Sequence, residues 1–514
     1  VSARGRALGR RTFLGLLGAT AAGVALGGCG TAPGQTGEQI ASALPLPPPF
    51  LVPLPVPPVA RPVAPDRYLI TQRVAEVEVL PGVATPVLGY DGIFPGPTIE
   101  ARRGRPIVVR HRNELPVPTV VHLHGGHTAP EHDGWPLDLV LPVGDTRDWT
   151  GHHGMVGDHS AGERDHVYDG DQRAATLWYH DHRMDFTGPA VHHGLAGFHL
   201  LRDDEEDALG LPRGERELPL MICDRSFAAD GAFAYPSLDR SLRTLPGVEA
   251  DWAEGVLGDV VLVNGAPWPV HEVDAARYRL RLLNASGARR YRLSLTVPGA
   301  PDLPLVQVGS DGGLLAAPVE HGAVELAPGE RSDVVVDFGL LPVGTEVTVR
   351  NGLGRGTTAD VLRFRVVRAA RDDSRVPAVL SEVEPLVVPA DAPVRTWTFT
   401  RGPVGDHRGW TINGLPFRPD EPQARVPLGE VEVWRFVTDV HHPVHVHLDP
   451  FRVLRRGAGG PGPWDAGWKD TVDVRPAEVV DVAVRFTDHR GRYVVHCHNL
   501  EHEDMAMMAA VETV

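Results

Sequence analysis

The sequence predicts an all-β protein of three Greek-key β-sandwich domains, and three observations lead there. The 514 residues exceed what one hydrophobic core serves, and at roughly 150 residues per domain they divide into three. Next, 57 Gly and 48 Pro punctuate short runs of alternating β-branched residues, the pattern of strands joined by turns. Finally, from Pro95 onward the chain repeats itself weakly, with a period of about 150 to 170 residues. A turn, a strand and a polar stop recur at Gly104 to Asn113, Ala276 to Asn284 and Gly429 to Asp439. A second element pairs Pro328 to Phe338 with Pro476 to Phe486. The expected domains are 66–204, 205–375 and 376–514.

What precedes them reads differently. Residues 1–29 hold Arg10-Arg11-Thr12-Phe13-Leu14, an apolar run to Leu26, and Leu26-Gly27-Gly28-Cys29. This has the form of an export signal of the twin-arginine type, ending in a lipobox whose Cys29 would carry a lipid anchor to the membrane. The run is short for a transmembrane helix. The expected location is the cell envelope, or the medium if Cys29 is not lipidated. Residues 30–65 are a Pro-rich linker, expected to stay extended as a tether. The formal charge is −16, and the leader holds four Arg and no acid, so the body is more acidic still. No nucleic-acid partner is expected on that balance. Lys469 is the one lysine, which reads as codon usage.

The chemistry is carried by histidines. Alternate residues of a strand project from one face, so each pair His122/His124, His180/His182, His445/His447 and His496/His498 aims two imidazoles at one point. The pairs stand at matched positions of the first and third repeats. The second has Arg290-Tyr291-Arg292-Leu293 and Phe364-Arg365-Val366-Val367 there, so it reads as a spacer. Cys497, between His496 and His498, faces away from the imidazole cluster. A blue-copper centre takes two imidazoles, a thiolate and a weak axial thioether. His442, His502 and Met507 can complete that set with Cys497. A structural zinc site needs four ligands and cannot account for ten histidines.

At this point the chain resembles the multicopper oxidases, in the branch of spore-coat laccases, bilirubin oxidases and phenoxazinone synthase. The motifs are His122-Leu-His-Gly-Gly, Trp178-Tyr-His-Asp-His, His442-Pro-Val-His-Val-His and His496-Cys-His-Asn-Leu-Glu-His-Glu-Asp-Met-Ala-Met507. The resemblance implies cupredoxin-like sandwiches and four copper ions. A type 1 ion would sit on His442, Cys497, His502 and Met507, and a type 2 ion on His122 and His445. A type 3 pair would sit on His124, His180, His182, His447, His496 and His498. It further implies electron uptake through an exposed edge of His502, transfer through Cys497, and reduction of dioxygen to water. Asp133 and Glu503 match acids that the family uses to deliver protons.

The leading function is therefore a laccase-like oxidase of phenols, aromatic amines or bilirubin-like pigments, with dioxygen and a small aromatic reductant as partners. A cuprous oxidase in copper tolerance and a copper-free cupredoxin scaffold in the cell envelope are the alternatives. Complete ligand sets oppose the scaffold, and the absence of a Met-rich insert opposes the cuprous oxidase. A two-domain nitrite reductase is opposed by the third domain. His152, His153, His159, His166, His192 and His193 read as polar loop residues, and Cys223 as a small buried hydrophobe.

Overall fold

A computed structural model describes residues 34–147, 149, 157–404 and 407–514. The twin arginines, Cys29, His152 and His153 lie outside the described residues. The fold is the expected one of three two-sheet sandwiches, each closed over its own apolar core. In the first, Gly96–Arg102, Ala196–Arg202, Ala175–Asp181 and Val121–His124 form one sheet in that order. Ala84–Tyr90, Arg67–Glu78, Ile107–Asn113 and Glu163–Tyr168 form the other. The second domain stacks a seven-stranded sheet on a five-stranded one around Leu220, Leu262, Val334 and Phe364. The third stacks two five-stranded sheets around Trp397, Trp434, Val444 and Val495.

Strand alternation decides what each sheet offers its neighbours. In Val121–His124 and Ala175–Asp181, the residues Val121, Leu123, Leu177 and Tyr179 fill the core of the first sandwich. Their neighbours His122, His124, Trp178 and His180 therefore face outward, toward the third domain. The register places His122 opposite His180, and His445 opposite His496 in the third domain. There Val444, Val446, Val495 and Cys497 turn inward. Helices are few and short, and one of them, Leu500–Asp504, carries His502 back toward Cys497.

The Pro-rich segment is extended as its composition requires, but from residue 34 it is no free tether. Glu38–Gln39 pairs with Val256–Leu257, and Pro53 bridges to Val270. Ser42 donates to Asp259 through both its backbone N–H and its hydroxyl, at 2.7 and 2.5 Å. Leu54 is buried in the core of the second domain. Proline composition predicted the conformation. Docking follows from Leu54 and Ser42, single residues that composition does not register. His192 and His193 also differ from the loop reading: His192 ends the buried helix Thr187–His192, and His193 donates from Nδ1 to the Pro189 carbonyl at 2.7 Å. His166 points into the first sandwich and donates to the His132 carbonyl at 3.2 Å.

Replacing Asp259→Ala removes the acceptor of both Ser42 donors, a loss of about 1–3 kcal/mol. Limited proteolysis should then cut within 34–65 while the three domains stay intact. Cleavage no faster than in the parent would show that Asp259 does not hold the strap.

Candidate metal centres

Two clusters of donors stand on opposite sides of Cys497. Inside the third domain, Cys497 Sγ lies 3.4 Å from His442 Nδ1 and 3.6 Å from His502 Nδ1, and the two nitrogens are 3.1 Å apart. Met507 is fully buried in the same core, its backbone joined to Cys497 N and His502 O. Between the first and third domains lie the eight imidazoles of the paired histidines, all at most 1 % exposed. His122 Nε2 and His445 Nε2 are 3.5 Å apart, while His496 Nε2 is 3.2 Å from His447 Nε2 and 3.4 Å from His182 Nε2. Separations of this size are what ligand nitrogens at about 2 Å from a shared ion show. The donor atoms of His124, His180 and His498 converge as a further group.

The backs of these rings are held by the chain, which fixes which nitrogen faces inward. His122 donates from Nδ1 to the Asp133 carbonyl at 2.5 Å, His180 to the Asp181 carbonyl at 2.8 Å, and His445 to the Asp470 carbonyl at 2.8 Å. The carboxylate of Asp133 accepts from His447 Nδ1 at 2.8 Å, and Glu503 Oε2 lies 3.0 Å from His496 Nδ1. Both acids thus touch the cluster from behind. Burial pushes the Asp133 carboxyl well above the usual range. Burial also pushes Glu503 up, but His496 and His182 outweigh it and leave that carboxyl below the usual range.

These donors fit a metal. Burial pushes His122, His180, His445 and His447 well below an ordinary imidazole and His498 down to about 3, so the rings are neutral, with lone pairs free for a cation. His124 Nδ1, His180 Nε2 and both nitrogens of His498 are buried without a partner. Buried polar atoms are rarely left so, and several aimed at one point call for an ion. Burial also pushes the Cys497 thiol well up, so that its thiolate needs a bound cation.

Two features depart from the sequence reading. His502 has no exposed edge: it is 0 % exposed, Trp410 lies over it at 3.8 Å, and its Nε2 donates to the Glu254 carbonyl at 3.2 Å. The surface above is made by Glu254, Arg401 and Asp439, and Asp439 accepts from His442 Nε2 at 3.0 Å. A carbonyl from the second domain covers the ring, and nothing in the local sequence around His502 signals that contact.

The second domain is also more than a spacer. Arg331 donates to Asp470 from Nη1 and Nη2, at 2.7 and 2.5 Å, and Asp470 Oδ1 lies 3.1 Å from His124 Nε2. Lys469 pairs with Asp311 at 2.9 Å and Glu330 at 3.1 Å, all at most 10 % exposed. Burial alone would strip the Lys469 charge, but Asp311 and Glu330 outweigh it and hold the ammonium above its ordinary range. Gly329 has φ +86°, and a Cβ there would sit 3.0 Å from both His124 and His498. The one signal for this buttress was the solitary lysine, retained in a chain that otherwise uses arginine.

Comparison with known proteins agrees with this geometry. A multicopper oxidase family model matches residues 390–514 and a second one residues 72–151. A laccase of Bacillus stratosphericus is 35% identical, covering 90% of this chain and 99% of its own. The bilirubin oxidase of Albifimbria verrucaria is also 35% identical, covering 93% of this chain and 84% of its own. Among solved structures, the multicopper oxidase McoA of Aquifex aeolicus superposes with a TM-score of 0.77 at 30% identity, over 90% of this chain and 99% of that one. With both ligand-bearing domains matched and identity sustained along nine-tenths of its length, the chain belongs to the multicopper oxidases, copper-dependent oxidoreductases that use dioxygen.

Proposed function

We propose that this laccase-like oxidase binds four copper ions and takes single electrons from phenols, aromatic amines or bilirubin-like compounds. The observation that carries the reading is the tripeptide His496-Cys497-His498, whose thiol joins one donor cluster and whose two imidazoles join the other. One type 1 ion is assigned to His442, Cys497, His502 and Met507, and a type 2 ion to His122 and His445. A type 3 pair is assigned to His124, His180, His182, His447, His496 and His498. Bound there, copper supplies one-electron acceptance at the thiolate site and four-electron reduction of dioxygen to water at the three-ion site. The covalent link from Cys497 to its neighbours is the shortest connection between the two.

The chain's own residues divide the remaining work. Carbonyls of Asp133, Asp181 and Asp470 hold imidazoles in place, and Trp178, stacked on His180 at 4.2 Å, keeps that side dry. Asp133, driven up by burial and hydrogen-bonded to His447, is placed to hand protons to the cluster. At the other site Glu254, Arg401 and Asp439 form a polar surface over the buried Trp410, which suits a ring bearing a hydroxyl or amino group. Met507, the assigned ligand, and Met505 pack in the core around Cys497, while Met508 turns to a separate cluster with Trp135 and Met184; this is thin provision for Cu(I). The reading also includes export by the twin-arginine route and lipid attachment at Cys29, supported by the sequence of residues 1–29.

Oxygen uptake with a substrate panel tests the function: substituted phenols or aromatic amines should outrun Cu(I) in kcat/KM, and a preference for Cu(I) by orders of magnitude would refute the aromatic reading. Cys497→Ser should abolish the blue absorption and the oxidation of organic reductants while the other metal stays bound. Blue colour surviving in that protein would remove Cys497 from the assignment.

Gly329→Ala places a Cβ against His124 and His498 at a backbone angle that side chains seldom adopt. Copper analysis should show loss from the imidazole cluster, with the blue absorption kept. A full complement of metal would mean that the two rings can retreat.

A further inference from the structure

Between the first and third domains a cavity of about 510 Å³ is lined by His122, His447 and Asp470 and also by Arg485 and Asp488. On its wall stands His127, which the metal clusters do not use. The ring is 7 % exposed, with Nδ1 3.0 Å from Asp449 Oδ1 and Nε2 3.0 Å from Asp488 Oδ1. The Asp488 side chain is 59 % exposed and that of Asp449 is 11 % exposed, so the imidazole joins a solvent carboxylate to an inner one. Each part is held. The His127 N–H donates to Gln172 Oε1 at 2.6 Å, and Asp449 accepts from the Thr487 N–H at 2.8 Å. His489 lies 4.8 Å from the ring, and the wall also carries Arg103, Asp171, Arg173, Glu205, Glu382 and Arg485, the last paired with Glu384.

A clamp that only joined two domains would need no ionisable ring. Two carboxylates on one imidazole favour its charged form, which has an N–H for each. Burial pushes the ring down, but Asp449 and Asp488 more than reverse this, so His127 keeps its proton above the ordinary imidazole value.

We propose that His127, between Asp488 and Asp449, takes protons from solvent and passes them into this cavity for the reduction of dioxygen. The inference rests on the dioxygen-reducing reading of the imidazole cluster. Forming two waters from one dioxygen consumes four electrons, drawn from four one-electron oxidations of the reductant, and four protons. In each passage the imidazolium gives its Nδ1 proton to cavity water beside Asp449; the neutral ring then turns over, which sets its bare nitrogen toward Asp488, and takes one proton there from solvent. Only N–H and O–H bonds are made and broken.

The test compares the native protein with His127→Gln and Asp488→Asn at equal copper content and blue absorption. Fully reduced protein is mixed with dioxygen and its reoxidation followed from about pH 5 to about pH 8. His127→Gln should slow reoxidation on the order of tenfold, most at the alkaline end, and added imidazole should restore the rate. Asp488→Asn should slow it less, and anaerobic reduction by a phenol should be unchanged in both. Independently of turnover, nitrogen NMR of the reduced, diamagnetic protein should show His127 titrating above the ordinary imidazole value, and lower in Asp488→Asn. Unchanged reoxidation, a loss equal at every pH and not restored by imidazole, or a ring titrating at or below the ordinary value overturns the proposal. Failure of the native protein to consume oxygen would overturn the reading beneath it instead.

Discussion

The site depends on the two-residue period of one strand. Gly491–Cys497 lies between the apolar core of the third domain and its interface with the first, so alternate side chains enter two different environments. Val495 and Cys497 go into the core, where the thiol meets His442 and His502. His496 and His498 go to the interface. Only a sheet presenting imidazoles at the same spacing can complete that interface, and Val121–His124 with Ala175–Asp181 does so in register. A shift of one residue in either pairing would send the imidazoles into the cores and leucine or valine to the metals.

Gathering so many lone pairs in a dry interface is costly unless each ring is anchored from behind. Backbone carbonyls anchor three, and acids touch three more: Asp133 at His447, Glu503 at His496 and Asp470 at His124. Asp470 in turn needs a counter-charge, and this is where the second domain enters. Arg331 grips both its oxygens, Asp311 stands between Arg331 and Lys469, and Glu330 completes the pairing of Lys469. Taking one partner out of such a buried chain leaves an uncompensated charge. A domain without a metal ligand thus fixes the position of a ligand in another.

The fold and the convergence of the paired histidines were legible because period-two patterning and paired histidines are local signals. So was the direction of Cys497, which needs only its parity in the strand. The cover over His502 was not, since the Glu254 carbonyl comes from another domain and a carbonyl has no sequence signature. Docking of the Pro-rich strap was hidden for a related reason: composition reports that a segment is extended, and single residues such as Ser42 and Leu54 decide whether it is bound. Lys469 was visible in the sequence yet uninformative until its partners were known.

Asp133 and Glu503 looked alike in sequence, as two acids near histidine motifs. Their surroundings separate them. Glu503 adjoins His496 and His182, which outweigh its burial and hold its carboxyl below the usual range, and His496 is the residue bonded to Cys497. Asp133 has only a Thr128 hydrogen bond against its burial, and it holds His447 and, through its carbonyl, His122, two imidazoles that border the cavity. Environments that drive two carboxyls in opposite directions assign them different tasks. On the proposed function Glu503, held low beside His496, would keep a ligand oriented on the thiol side. Asp133, held high, would on the same reading carry a proton on the cavity side. On the proposed function, electrons from the thiolate site and protons from the cavity would therefore reach the imidazole cluster by separate ways, one past Glu503 and one past Asp133.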